Sequence, residues 1–128
     1  MKYLLLIYQN EQVWQGRSPE ESARIFNEYM DYTRTIHRNG NYIAGEALQP
    51  VATATTVRQR NGKTLTTDGP FAETKDLIAG WMVIDVETYE RALELAAELS
   101  AAPGAGGKPI HEWLEVRPLL APPLTITE

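Results

Sequence analysis

Two segments of this chain, Lys2–Gln9 and Leu77–Val86, limit its architecture, because each alternates as a β-strand and presents apolar side chains on both faces. In the first, Tyr3, Leu5 and Ile7 oppose Leu4, Leu6 and Tyr8; in the second, Leu77, Ala79, Trp81 and Val83 oppose Ile78, Met82, Ile84 and Val86. A sheet with such strands at its centre has to be covered on both sides. The chain offers two helices for that purpose. Ser18-Pro19-Glu20-Glu21 opens the first, with Ser18 as N-cap, Pro19 at the first helical position and Glu21 placed to close a capping box. Ile25, Tyr29, Tyr32 and Ile36 form one row along it, and Phe26, Met30, Thr33 and His37 the adjacent row. Together they predict one wide buried stripe, ended by Arg38-Asn39-Gly40. The second helix spans Thr88–Ser100, with Leu93, Ala96 and Leu99 inward and Glu90, Glu94 and Glu98 on a solvated face.

The remaining elements complete a recognisable order. Tyr42–Leu48 reads as a strand, and Ala54–Arg60 and Lys63–Thr67 as a hairpin joined by Asn61-Gly62, the dipeptide that best fits a two-residue turn. Asp68-Gly69-Pro70-Phe71 is a turn by composition, and Glu112–Leu119 alternates as a half-buried edge strand. The order predicts an α+β fold, a ferredoxin-like split βαβ with an inserted β-hairpin, its antiparallel sheet carrying two helices on one face. That topology makes the two double-faced strands central. Their second apolar face then requires a second subunit, with a homodimer formed through the sheet face, or a ligand cavity between subunits. Residues 1–120 are expected to form a single domain and residues 121–128 a Pro-containing tail.

Composition removes several classes of function. Twelve basic against 17 acidic residues leave a net charge of −5, the basic residues are scattered, and no nucleic-acid partner is expected. Met1–Ile7 is far too short for a membrane span or signal-peptide core, so no membrane partner is expected either. With no cysteine in 128 residues there is no thiolate metal site, disulfide or cysteine nucleophile, and a cytoplasmic location is the simplest expectation. Gly62-Lys63-Thr64 resembles the end of a phosphate-binding loop, but the required first glycine is replaced by Val57. Gly104-Ala105-Gly106-Gly107 follows a helix, so it lacks the helix N-terminus that an anion would need. His37 sits where a helix end favours a cation, and His111 is far from it in sequence; no carboxylate sits at ligand spacing on the helical face of His37, so no metal and no cofactor are expected.

Glu46 is a carboxylate in an otherwise apolar strand, facing the same way as Ala44 and Leu48, and needs either an edge or a partner. The segment Thr66–Asp76 is denser in chemistry: Asp68 and Glu73 flank a rigid turn, with Lys75 as counter-charge. Turn chemistry accounts for Asp68 alone. Asp68-Gly69-Pro70-Phe71-Ala72-Glu73-Thr74-Lys75 resembles, nearly letter for letter, the signature of the DGPF branch of the YCII-related family. Gly45-Glu46-Ala47-Leu48-Gln49-Pro50, Gly80-Trp81 and Glu115-Val116-Arg117-Pro118 are similar to other segments of that family. The resemblance implies a dimeric α/β barrel, two protomers packed sheet to sheet. Smaller YciI relatives resemble enzymes with a His-Asp pair in a cleft, and one related protein is a dehydrochlorinase. Here Tyr29 occupies the position of that histidine, and Asp68 is the candidate counterpart of the aspartate.

Two functions follow as expectations. The first is a cofactor-free small-molecule enzyme of lyase or isomerase type, with a cleft near the DGPF loop and Asp68, Glu73 and Lys75 as catalytic candidates. Tyr8, Tyr29, Glu46, Phe71 and Trp81 are its ligand-binding candidates. The alternative is a non-catalytic dimeric module binding a ligand or a regulatory protein. DGPF proteins are often encoded beside sigma factors, so the resemblance links such a module to transcription control.

Overall fold

The computed structural model describes residues 1–72, 74–101 and 111–120. In chain order the elements are β1 (Lys2–Asn10), α1 (Glu11–Gln15), α2 (Pro19–Arg38), β2 (Tyr42–Ala47), β3 (Thr55–Arg60), β4 (Lys63–Asp68), β5 (Asp76–Asp85), α3 (Tyr89–Ser100) and β6 (Leu114–Pro118). A single turn of 3-10 helix, Val51–Thr53, precedes β3. The architecture is α+β. Four strands form one antiparallel sheet in the order β2-β5-β1-β6, while β3 and β4 pair only with each other. The two strands with apolar residues on both faces therefore lie at the centre of the sheet.

Among the described residues, one face of the sheet is closed. Tyr3, Leu5 and Ile7 of β1 and Met82 and Ile84 of β5 are buried with Ile36 of α2 and with Ala92, Leu95, Ala96 and Leu99 of α3. Leu4, Leu6 and Tyr8, and across from them Trp81 and Val83, remain half-exposed on the opposite face. A β-bulge interrupts the β1–β5 register, Ile7 pairing with Gly80 but Tyr8 with Ile78. One extra residue in β5 reverses the parity beyond it. Ile78, expected beside Met82 and Ile84, consequently joins Tyr8 on the open face and is 40% exposed.

The helices begin where the caps predict. Ser18 Oγ accepts the Glu21 N–H at 3.1 Å, and Thr88 Oγ1 accepts that of Arg91 at 3.1 Å. The α2 stripe is narrower than the spacing suggests: Ile25 and Ile36 are buried and Tyr29 and Tyr32 half-buried, whereas Phe26 is 55% exposed and His37 lies in solvent. In α3 the buried row is Ala92, Leu95, Ala96 and Leu99, and Leu93 is 42% exposed. Ala92, Leu95, Ala96 and Leu99 recur at i, i+3, i+4 and i+7 and so share one face, to one side of which Leu93 falls. Helix α1 was not anticipated, because five residues are too few to show a period. Asn10 caps it by accepting the Gln12 N–H at 3.0 Å.

Candidate functional site

A cavity of about 480 Å³ lies between α2 and the helix-covered face of the sheet. Its sheet side is formed by Ile7, Ala79, Gly80 and Leu114, its helix side by Ile25, Phe26 and Tyr29 of α2 and Leu99 of α3, and Ala47 and Leu48 close it at the end of β2. The β-bulge sits at this floor, and Gly80 keeps it flat: a Cβ there would come within 3.1 Å of the Glu46 carbonyl oxygen. The walls are mostly apolar, as small-molecule sites are.

The polar group of the cavity is a cluster of Glu112, Trp14 and Gln9. Trp14 Nε1 donates to Glu112 Oε1 at 2.7 Å, and Gln9 Nε2 donates to Oε2 at 3.4 Å. Three elements converge to make it. Gln9 lies next to the end of β1, α1 turns the chain so that Trp14 comes back over the cavity, and Glu112 is fixed just before β6, its carbonyl accepting Ser100 Oγ at 2.6 Å. Arg17 stacks on the Trp14 ring, its guanidinium carbon 4.4 Å from the ring centroid. Burial pushes the Glu112 carboxyl above the usual glutamate range, against the opposing pull of the two donors and of the Arg17 charge. Tyr29 is also held neutral, pushed up to about 12 by burial and then by Tyr42. Its hydroxyl has no hydrogen-bond partner among the described residues. The arrangement can therefore accept a proton at one carboxylate and donate a hydrogen bond from one phenol within an apolar enclosure.

Among the residues proposed from the sequence, Tyr29 lines this cavity. Tyr8, Trp81 and Glu46 lie on the other side of the sheet, Glu46 pairing with Trp81 across β2 and β5, exposed at the edge. Asp68 ends β4, and Phe71 and Lys75 follow it in the exposed connection to β5, with Phe71 90% exposed; none of the three lines the cavity. That turn is anchored to the hairpin, Gly69 N donating to Ala54 O at 2.8 Å and Thr56 Oγ1 to Gly69 O at 2.8 Å. Glu73 lies outside the described residues, as do the Gly104–Gly107 segment and the 121–128 tail. Sequence reasoning missed Glu112, Trp14 and Gln9. The alternation predicts a strand from Glu112, whereas the strand starts at Leu114, and the available signal is Trp14, a large aromatic just ahead of the Ser18 cap.

Among the described residues no cluster of His, Asp and Glu could hold a metal ion, and no helix is long and apolar enough to cross a membrane. Compared with known proteins, residues 1–113 match the YCII-related domain. The chain belongs to the YCII-related family. A relative from Rhizobium meliloti (strain 1021), described as an uncharacterized protein, is 35% identical over 119 residues, which are 93% of this chain and 92% of that protein. The YCII-related match runs through Glu112 and so includes every residue of the polar cluster.

Proposed function

We propose that this YCII-related protein is a cofactor-free enzyme acting on a small molecule by acid–base chemistry of lyase or isomerase type, within the cavity beneath α2. Glu112 is its general base and Tyr29 the donor that stabilises developing negative charge. The observation that carries this reading is the Glu112 carboxyl, drawn into an apolar cavity of about 480 Å³ yet held in place by Trp14 and Gln9. Burial raises the proton affinity of this carboxylate above that of an exposed glutamate, which is the direction that strengthens a base. Asp68, Glu73 and Lys75 retain a competing claim through the DGPF-like segment, which also supports placing the chain in the DGPF branch.

The working unit we propose is a cytoplasmic homodimer of ferredoxin-like protomers, forming a dimeric α/β barrel through the open sheet face. The order β2-β5-β1-β6 supports the ferredoxin-like assignment, since removing the hairpin leaves two βαβ units with their first strands side by side. A library of small apolar compounds, screened by thermal shift on wild type, Glu112→Gln and Asp68→Ala, tests the site. Ligands that stabilise wild type and Asp68→Ala but not Glu112→Gln support the cavity; the reverse pattern moves the site to the DGPF turn. Binding without turnover of any enolisable ligand would make the protein the ligand-binding module instead, a reading favoured by the fact that both Glu112 oxygens already accept hydrogen bonds.

A further inference from the structure

We infer that the cavity selects an uncharged, largely apolar carbonyl compound carrying an acidic proton next to its carbonyl group. The inference rests on the cavity being the working site and adds the class of molecule that fits it. Charge is the first criterion. Among the described residues the ionisable side chains lining the cavity are Glu112 and Tyr29, with no Lys, Arg or His beside them. An anionic ligand would meet Glu112 without a counter-charge. The Arg17 guanidinium, stacked on Trp14 and outside the described lining, acts on the Glu112 carboxylate without a salt bridge to it among the described residues, so a cationic ligand would enter beside a charge of its own sign. A charge of either sign would have to give up its hydration without a dedicated partner, and that is costly in an apolar enclosure.

Hydrogen-bonding capacity is the second criterion. A carboxylate has about four acceptor sites, and here two are used, one of them by the long 3.4 Å contact from Gln9. The Tyr29 hydroxyl adds a donor unpartnered among the described residues. One donor and one base match a carbonyl oxygen and the proton on its neighbouring carbon. In the step this permits, the Glu112 carboxylate takes the α-proton and the C–H electron pair becomes a C=C bond. The carbonyl π pair moves to oxygen, where the Tyr29 hydroxyl hydrogen-bonds the enolate. Return of a proton from Glu112 to carbon, either the original one or one exchanged with solvent while the enolate is held, restores the base with no oxidant or reductant.

Four probes sharing one bicyclic skeleton separate the possibilities: tetralin, β-tetralone, the corresponding carboxylate and the corresponding protonated amine. Binding is read by thermal shift and by tryptophan fluorescence, and α-proton exchange of β-tetralone in deuterium oxide by NMR. The ketone should bind tighter than either ion and exchange its α-protons faster with wild type than with Glu112→Gln. Tyr29→Phe should weaken the ketone roughly three- to tenfold, the worth of one neutral hydrogen bond, and leave tetralin unchanged. An ion that binds as tightly as the ketone, or a ketone indifferent to Tyr29→Phe, overturns the proposed class while tetralin binding keeps the cavity as the site. If tetralin and the ketone both fail to bind, the cavity reading itself falls. Melting curves of both variants establish that they are folded, and each substitution is close to isosteric.

Discussion

At the residue scale, Glu112 ties stability to pH in a direction that can be checked. Its proton is held more tightly in the folded protein than in the unfolded chain, because burial disfavours the charge more than Trp14, Gln9 and Arg17 favour it. The resulting stabilisation is complete below the ordinary glutamate value and is lost as pH rises through the elevated folded value. Glu112→Gln removes this dependence while keeping an oxygen for the Trp14 N–H. The variant should therefore gain thermal stability relative to wild type as pH is raised from mildly acidic to mildly alkaline, and a constant difference across that range would refute the assignment. Trp14→Phe acts oppositely: it deletes a 2.7 Å hydrogen bond to a carboxylate and should cost about 1.5–3 kcal/mol in denaturant unfolding at neutral pH.

At the scale of elements, the periodic parts of the fold were legible and the parts governed by irregularities were not. The Asn61-Gly62 turn appears as read, with φ of 53° and 73°, and the Ser18 side chain caps α2 as its position predicts. Ser18→Ala should cost about 1 kcal/mol of global stability and leave ligand binding unchanged, since the cap lies outside the cavity lining. Faces were harder to read than elements. A single extra residue in β5 moved Ile78 to the open side, and the inward row of α3 is Ala92, Leu95, Ala96 and Leu99, with Leu93 turned partly outward. The polar cluster was illegible for a related reason: Gln9, Trp14 and Glu112 sit at the ends of elements, where neither period applies. Close approach also explains Gly45, whose added Cβ would stand 2.8 Å from the Trp81 carbonyl oxygen. Gly45→Ala should push β2 away from β5 at a cost of about 1–3 kcal/mol, measurable by urea unfolding.

At the scale of the whole molecule, the open sheet face supports association, and its composition specifies how association should behave. Leu4, Leu6, Tyr8, Trp81 and Val83 form a contiguous half-exposed surface across β1 and β5, with Ile78 added by the bulge. Its polar groups lie at the margins, Glu46 on β2 and the Glu115–Arg117 pair on β6, whose 3.3 Å contact is exposed and contributes little. Apolar burial at the centre of such a patch, rather than ionic contacts at its rim, would hold two copies together. A dimer formed this way carries twice the net charge of −5, so added salt should leave it intact or strengthen it by screening the repulsion. Light scattering should give twice the chain mass at both low and high salt. Leu6→Lys, placing a charge in the middle of the patch, should yield a monomer whose far-UV circular dichroism matches wild type, because the helix-covered core lies on the opposite side. A wild-type monomer at micromolar concentration, or a dimer that dissociates as salt is raised, would remove the sheet face as the interface and leave its apolar side chains to be covered by some other partner.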